Sequence, residues 1–223
     1  MSELASEPVG SVAVSEVSLG PDGLARCPWG ASTPDYVLYH DQEWGQPVQT
    51  DDALFERLTL EAFQSGLSWL TILRKRAAFR AAFAGFVIER VAEFGQDDKQ
   101  RLLADAGIVR NRAKIEAAIA NARAAARLPD GLSTLLWSYR PTGPRQRPVR
   151  LADVPARTAE SVAMATGLRR HGFTFVGPTT AYALMQATGM VDDHLAGCHV
   201  PVRTVGQPGV EAQGPVVPAD MMG

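Results

Sequence analysis

Residues 102–115, LLADAGIVRNRAKI, give the strongest indication of the fold of this 223-residue chain. Asp97 and Asp98 suit the first turn of a helix that Gly107 ends, since glycine is common just beyond a helix C-terminus. A second helix is predicted over residues 110–127, which are rich in alanine, the strongest helix former. The stretch therefore predicts two helices joined by a tight hairpin that contains glycine.

Helical patterns continue on both sides of this hairpin. Further helices are predicted after the N-cap candidates Thr50-Asp51-Asp52 and over residues 68–83, 133–139, 158–171 and 178–186. Strand-like runs are few, and residues 173–176 are the clearest of them. The chain is therefore predicted to be all-α.

A single domain is expected over residues 26–199. Residues 1–25 contain no lysine or arginine and no clean hydrophobic period, and residues 200–223 contain glycine and proline throughout, so both segments are predicted to be disordered tails. No stretch approaches the roughly 20 apolar residues that span a bilayer, and the first 25 residues do not resemble a signal peptide. We therefore expect a cytoplasmic protein with no membrane partner.

The charge pattern is compatible with a nucleic-acid partner. The formal net charge is only −2, but basic residues are clustered, and Arg110, Arg112 and Lys114 follow Gly107 closely and are expected near the same spot. A hairpin of this kind can direct backbone N–H groups at one phosphate of DNA without reading the base sequence. Each basic cluster taken alone is more typical of a solvated helix face or a basic loop.

Two cysteines, each near a histidine, lie at opposite ends of the predicted domain. These residues are Cys27, His40, His194 and Cys198. Two thiolates and two imidazoles suit tetrahedral Zn²⁺ and leave no coordination position for a reacting water, so such a site would be structural. Two alternatives stay open: unrelated buried thiols, or a disulfide, although nothing in the chain indicates an oxidising compartment.

The N-terminal half concentrates aromatic residues around one acidic residue. The aromatic residues are Trp29, Tyr36, Tyr39, Trp44 and Trp69, with Phe63 among them. Glu61 falls on the helical stripe of Leu54 and Leu58, where a buried carboxylate without a partner is costly. This pattern favours a binding pocket, because aromatic faces stack on nucleobases and attract cationic rings. The alternative is an ordinary surface ion pair between Glu61 and Arg57, four residues earlier.

Six motifs are spread along residues 26–199: Arg26-Cys27-x-Trp29, Asp35-Tyr36-x-x-Tyr39-His40-Asp41-x-Glu43-Trp44-Gly45, Leu60-Glu61-x-x-Gln64-x-Gly66-Leu67-Ser68-Trp69, Asp105-Ala106-Gly107-Ile108, Gly172-Phe173-x-Phe175-Val176-Gly177 and Asp193-His194-x-x-Gly197-Cys198. Together, and in this order, they resemble the 3-methyladenine DNA glycosylase I family. One departure is Ala62-Phe63 after Glu61, where small or polar residues are expected and which bears on the shape of the pocket.

The resemblance implies a monomeric helix-hairpin-helix DNA glycosylase that releases 3-methyladenine from double-stranded alkylated DNA in base excision repair. It implies a structural Zn²⁺ on Cys27, His40, His194 and Cys198, and DNA contacts around Gly107, Arg110 and Arg112. It implies that Glu61, the catalytic residue, and Tyr39 hydrogen-bond the adenine edge. Trp69 would stack on the base, and Tyr36 and Trp44 would line the pocket.

The expected mechanism uses neither a catalytic aspartate nor a metal-activated water. Related helix-hairpin-helix glycosylases are expected to carry an aspartate some twenty residues beyond the hairpin glycine, but residues 125–127 are Ala-Ala-Arg and Asp130 reads as a turn residue. Alkylation at N3 already gives the adenine a positive charge and weakens its bond to the sugar. Two other classes compete: a non-catalytic helix-hairpin-helix DNA-binding protein, and a zinc hydrolase, which would need an open coordination position.

Overall fold

A computed structural model describes residues 16–143 and 145–202. These residues form nine α-helices and one short two-stranded sheet, so the predicted all-α class is confirmed. The helices are α1 Pro34–Gln42, α2 Asp51–Gln64, α3 Trp69–Ala82, α4 Ile88–Ala92, α5 Gln96–Ala104, α6 Arg112–Ala125, α7 Gly131–Trp137, α8 Ala159–Arg170 and α9 Pro178–Ala187. Strands β1 Ser18–Leu19 and β2 Ala25–Arg26 pair antiparallel. None of the helices in the described part is long and apolar enough to cross a membrane.

Helix α2 lies at the centre of the domain, where it packs against α3, α6, α7 and α9. Leu54, Phe55, Leu58 and Phe63 of this helix are completely buried. Full burial of a side chain of this size contributes about 1.5–3 kcal/mol, so the apolar surface of α2 stabilises the domain substantially. Because α2 is held on several sides, a polar residue on it has a fixed position.

Several helix starts are capped as their sequences suggest. The side chains of Ser68, Asn111 and Thr158 accept hydrogen bonds from backbone N–H groups in the first turns of α3, α6 and α8. The residues at the start of α2 behave differently. Asp51 accepts from Leu132 N and Ser133 N in α7, and Asp52 accepts from the N–H of Ile88 in α4, so these acids cap neighbouring helices.

The structure corrects two predictions of local structure. Residues 18 and 19, which fall within the predicted N-terminal tail, form a strand that pairs with Ala25–Arg26, so the tail prediction is wrong there. Residues 173–176 form a loop between α8 and α9 and no strand. The rest of the predicted tails, residues 1–15 and 203–223, lies outside the described residues.

Candidate functional site

A cavity of about 440 Å³ lies beside α1, α2, α3 and α9. All five predicted base-binding residues line it, namely Tyr36, Tyr39, Trp44, Glu61 and Trp69. Trp29 also lines it, together with six residues that sequence reasoning did not assign: Gln64, Leu151, Val154, Ala183, Gln186 and Asp193. Phe63, whose presence after Glu61 departs from expectation, packs against Phe79 and Phe83 in the core and does not line the cavity.

The aromatic walls are fixed by contacts between helices. Helix α1 begins at Pro34, directly after its N-cap Thr33, and its first turns carry Tyr36 and Tyr39. The Tyr36 hydroxyl accepts a hydrogen bond from Leu70 N at 3.0 Å, which ties α1 to the first turn of α3. The Tyr39 and Trp69 rings lie 5.3 Å apart, centroid to centroid. These contacts fix the positions of Tyr36, Tyr39 and Trp69 relative to one another.

Glu61 presents a buried carboxyl group to this cavity. The residue is only 7% exposed, and no described residue donates a hydrogen bond to its carboxyl group or pairs with it. Burial raises the pKa of Glu61 to about 8, although the charge of Arg57 opposes the rise. At neutral pH the empty cavity thus favours a protonated Glu61, and a cation in the cavity would favour the carboxylate.

The predicted alternative, a surface pair between Glu61 and Arg57, is wrong. The half-buried guanidinium of Arg57 donates through Nη2 to Glu43 Oε2 at 3.0 Å, and Arg76 donates to both Glu43 oxygens. Burial raises the pKa of Glu43, but the hydrogen bonds and charges of Arg76 and Arg57 outweigh it and lower the value to about 2. Arg57 thus pairs with Glu43 through Nη2 while its Nη1 has no hydrogen-bond partner, and among the described residues Glu61 has no ion-pair partner.

A second carboxyl group, that of Asp193, reaches the cavity from the segment after α9. Asp193 Oδ2 accepts hydrogen bonds from the Tyr182 hydroxyl at 2.5 Å and from Gln186 Nε2 at 2.9 Å. Burial and the nearby Asp193 carboxylate raise the pKa of Tyr182. The place of Asp193 in the sequence motif, directly before His194, gives no sign that it lines the cavity. This wall of the cavity forms only when distant segments of the chain meet.

The four predicted metal ligands come together. Cys27, His40, His194 and Cys198 are all buried, and one ligand atom from each lies within 4.8 Å of the others. Cys198 Sγ is 3.5 Å from His40 Nε2 and 3.6 Å from His194 Nδ1, and Cys27 Sγ is 3.8 Å from His194 Nδ1. The two thiols are free, so neither a disulfide nor two unrelated thiols describes them.

These distances suit one tetrahedral ion. Zn–S bonds of about 2.3 Å and Zn–N bonds of about 2.0 Å at tetrahedral angles separate sulfur from nitrogen by roughly 3.5 Å. The outer ring nitrogens also have acceptors: His40 Nδ1 lies 2.8 Å from Asp41 Oδ1, and His194 Nε2 lies 3.3 Å from the Trp44 carbonyl. Such partners fix the tautomer that turns the other nitrogen toward a metal.

The cysteine–histidine cluster also supports the cavity. The Trp44 ring lies 4.7 Å from the His194 ring and lines the cavity on its other side. Gly30 packs so closely on the His40 ring that a Cβ there would lie 2.4 Å from it. The cluster thus holds the wall formed by Trp29 and Trp44 in place, while its four ligand atoms face one another.

The hairpin between α5 and α6 exposes two of the three predicted DNA contacts. Arg110 and Arg112 are exposed. Gly107 donates to Asp105 Oδ1 at 2.7 Å, and a Cβ there would lie 2.9 Å from the same atom and 3.0 Å from Ala78 Cβ. A side chain at this position would therefore have to displace the Asp105 carboxylate and press on Ala78.

Other cations near the hairpin have structural roles. Lys75 of α3 donates to the carbonyls of Ala106 and Gly107. Lys114, which sequence reasoning placed beside Arg110 and Arg112, is buried and donates to the carbonyls of Phe63 and Ser65 at the end of α2. Lys114 is therefore unavailable to bind a phosphate in the way the two exposed arginines are, and Lys75 is half-buried.

Comparison with known proteins identifies the family of this chain. The model of the methyladenine glycosylase family matches residues 29–201. The chain is 41% identical over 179 residues to DNA-3-methyladenine glycosylase 1 of Escherichia coli, and 40% identical over 177 residues to DNA-3-methyladenine glycosylase of Haemophilus influenzae; each alignment covers 78% of this chain and 96% of the relative.

Solved structures agree as well. A crystal structure of 3-methyladenine DNA glycosylase I has a TM-score of 0.75 and 42% identity, with 78% of this chain and 98% of that chain covered. The structure that describes 3-methyladenine recognition by the Staphylococcus aureus enzyme has a TM-score of 0.75 and 35% identity, with 80% and 98% covered. The chain belongs to the methyladenine glycosylase family.

Proposed function

We propose that this protein is a DNA glycosylase that hydrolyses the bond between 3-methyladenine and deoxyribose in alkylated DNA. The observation that carries the proposal is a buried carboxyl group, that of Glu61, which has no partner among the described residues and faces a cavity walled by tyrosine and tryptophan. A cationic, flat, hydrogen-bonding base is the ligand that such a cavity fits. The relatives' names point to the same base.

The proposed reaction requires the damaged nucleotide to leave the DNA stack and enter the cavity. There the Glu61 carboxylate and the Tyr39 hydroxyl would hydrogen-bond the adenine edge, and Trp69 would stack on the ring. The C1′–N9 bond breaks with its electron pair on the base, which becomes neutral. Water adds to C1′ and loses a proton. Asp130, the nearest acid beyond residues 125–127, is exposed at the start of α7 and does not line the cavity.

The direct test is release of free 3-methyladenine from methylated DNA, followed by chromatography of the released bases. Glu61→Gln keeps the size of the side chain but removes the charge that faces the cation. A hydrogen bond to a charged group contributes about 1.5–3 kcal/mol, so single-turnover release at pH 8 should slow by roughly tenfold to a hundredfold. Glu61→Ala should be slower still, because it also leaves the cavity unfilled.

Glu56→Gln provides a matched control on the same helix. Glu56 pairs with Arg80 and does not line the cavity, so its variant should release the base at the parent rate. No release by the parent protein would refute the function in favour of a non-catalytic DNA-binding protein. A parent rate in folded Glu61→Ala protein would refute the role of Glu61.

We also propose that Cys27, His40, His194 and Cys198 hold one Zn²⁺. The donor set and the sulfur–nitrogen distances support this ion, since thiolates and imidazoles suit zinc and the outer nitrogens have acceptors. With four protein ligands the ion would have no position for a reacting water. Its contribution would therefore be to the fold and to the cavity wall.

Docking on DNA is proposed at the α5–α6 hairpin, as a helix-hairpin-helix contact with the backbone of duplex DNA. Arg110 and Arg112 are exposed beside the N-terminus of α6, where backbone N–H groups and the helix dipole favour a phosphate. We propose that a monomer, acting inside the cell on genomic DNA, is the functional unit, because the cavity, the cysteine–histidine cluster and the hairpin all come from one chain.

A further inference from the structure

The cavity contains a carboxyl group that the proposed chemistry has not yet used. Asp193 is only 5% exposed, although it belongs to no helix, and it lines the same cavity as Glu61. Its Oδ2 atom accepts the two hydrogen bonds from α9, whereas the shortest polar contact of Oδ1 is with Arg145 Nη2 at 3.4 Å. Oδ1 can therefore still accept a hydrogen bond from a ligand in the cavity, or face its charge.

We propose that Asp193 is a second substrate-facing carboxylate, and that it makes the cavity select a positively charged nucleobase over neutral ones. The inference rests on the proposed glycosylase function and extends it to specificity. Its partners are hydrogen-bond donors from Tyr182 and Gln186, and the half-exposed guanidinium of Arg145 lies at its edge. Such an arrangement holds a carboxylate in place without fully neutralising it.

The need for a second anion follows from the state of Glu61. Burial raises the pKa of Glu61 to about 8, so near neutral pH its carboxyl group is mostly protonated while the cavity is empty. Asp193 would then provide negative charge when the cationic base first arrives. As the C1′–N9 bond breaks, positive charge moves from the base to the sugar, and a carboxylate in the same cavity stabilises both distributions.

A purely structural role is the competing explanation. Asp193 could serve only to tie the loop that carries His194 to α9. The two explanations differ in their response to charge, because the substrate base is cationic and the released 3-methyladenine is neutral. Loss of the Asp193 charge should therefore slow excision while leaving the affinity for the free base unchanged, and a displaced loop should weaken both.

The experiment compares Asp193→Asn with Asp192→Asn, a matched change in the adjacent residue. Asp192 pairs with Arg147 and accepts from His194 N, but it does not line the cavity. Asp193→Asn should slow single-turnover excision by about tenfold or more, yet bind free 3-methyladenine within about twofold of the parent. Asp192→Asn should match the parent in rate and affinity, and all three proteins should be folded with the same zinc content.

Tyr182→Phe keeps the test decisive if Asp193→Asn fails to fold. This variant removes the shorter hydrogen bond to Oδ2 but leaves the charge, so we expect near-parent excision, whereas a tether would be weakened. An Asp193→Asn rate equal to that of an active parent overturns the inference. So does a slow Asp193→Asn protein that has lost its affinity for the free base. A parent protein that releases no base would refute the glycosylase function itself.

Discussion

At the scale of the residue, the most informative feature is the unusual environment of Glu61. Arg57, the one cation close enough on the same helix to neutralise it, is bound to Glu43 instead. Ionisation of the Glu61 carboxyl group is therefore costly while the cavity contains no cation, and it becomes favourable beside a cation. This difference links binding of a cationic base to release of a proton from Glu61.

The first prediction is a rate that depends on pH through Glu61. When excision is measured at substrate concentrations well below KM, the pH profile of the rate reports the pKa values of groups in the free protein. Since burial raises the pKa of Glu61 to about 8, the excision rate should rise with pH by up to about tenfold per unit from pH 6 and level off above pH 8. Glu61→Gln should show no such rise over this interval, after subtraction of enzyme-free depurination. A parallel rise in the variant would assign the titration to another group.

The second prediction concerns stability. The folded protein keeps the Glu61 proton up to about pH 8, whereas the unfolded chain releases it near the ordinary glutamate pKa of 4.5, so the folded state binds more protons between these values. Stability must then fall as pH rises through this window, by about 1.4 kcal/mol per pH unit from this one group. Urea unfolding at pH 5 and pH 8 should show a larger loss for the parent than for Glu61→Gln. Equal losses would contradict a raised pKa.

At the scale of the element, helices α2 and α6 are joined by a buried lysine. Lys114 lies in the first turn of α6, and its ammonium group donates to the carbonyls of Phe63 and Ser65, where α2 ends. Carbonyls at a helix C-terminus lack partners within their own helix and favour a cation. The helix that follows the hairpin is thus connected to the end of the helix that carries Glu61 and Gln64.

The third prediction is that Lys114→Met destabilises the protein. Methionine is similar in length and apolar, but it leaves the two carbonyls without their charged donor, so the free energy of unfolding should fall by about 2–3 kcal/mol. Lys99→Met is the control, since Lys99 makes no side-chain hydrogen bond within the described residues. Urea denaturation measures both variants. An unchanged Lys114→Met protein would show that water replaces the lysine at no cost.

The fourth prediction tests the hairpin as the DNA-docking element. Arg110→Ala and Arg112→Ala should each weaken binding to duplex DNA regardless of its sequence, and each should reduce the slope of log affinity against log salt by about 0.9 if the residue neutralises one phosphate. Arg170→Ala, an exposed arginine on α8, is the matched control. Fluorescence anisotropy at several salt concentrations gives both values. Gly107 is unsuitable for this test, because any side chain there meets Asp105 and Ala78.

The elements also show what the sequence could predict. Helices with long apolar periods or clear caps were predicted, including α2, α3, α6 and α8. Helix α4 has only five residues, which are too few to show a helical period. Helix α1 is made of polar and aromatic residues without a clear apolar face, so the sequence does not indicate an amphipathic helix there. The two-residue strand β1 leaves no signal of its own.

The site was predicted only as far as its chemistry is visible in residue types. Cysteine, histidine and clustered aromatics are uncommon enough to attract attention, and the structure brings together all of those named except Phe63, which packs in the core. Lys114 was misplaced because lysine is rarely buried, so a surface position is the natural expectation. Asp193, Leu151 and Val154 were missed as cavity residues. They reach the cavity from distant segments, and nothing in their neighbouring residues indicates that position.

At the scale of the whole molecule, the cysteine–histidine cluster connects the two ends of the domain. Cys27 and His40 lie before α2, and His194 and Cys198 lie after α9, so the link encloses the helical core. Around it, Asp41 accepts from Arg26, His40 and His199, which adds a polar shell to the same junction. A metal here would constrain the unfolded chain over nearly the whole length of the domain.

The fifth prediction is that zinc removal destabilises the whole domain and loosens the cavity wall without removing a reacting group. A covalent link that closes a loop of 100 residues or more stabilises by about 4–5 kcal/mol in the chain-entropy view, and a four-ligand metal should act similarly. Chelation should lower the melting temperature. It should also make the surroundings of the Trp44 ring more heterogeneous, because that ring contacts His194. Elemental analysis of the untreated protein should give one zinc per chain.

A Cys27→Ala/Cys198→Ala double variant separates this effect from damage by the chelator. It should contain no zinc, melt at the lower temperature from the start and show no further response to chelation. Where a folded fraction persists at low temperature, it should still excise 3-methyladenine, because the proposed chemistry uses Glu61 and no metal-bound water. Zinc-free parent protein with unaltered stability would refute the metal site. Complete loss of excision in zinc-free protein that remains folded and still binds the free base would instead give the metal a direct part in the reaction.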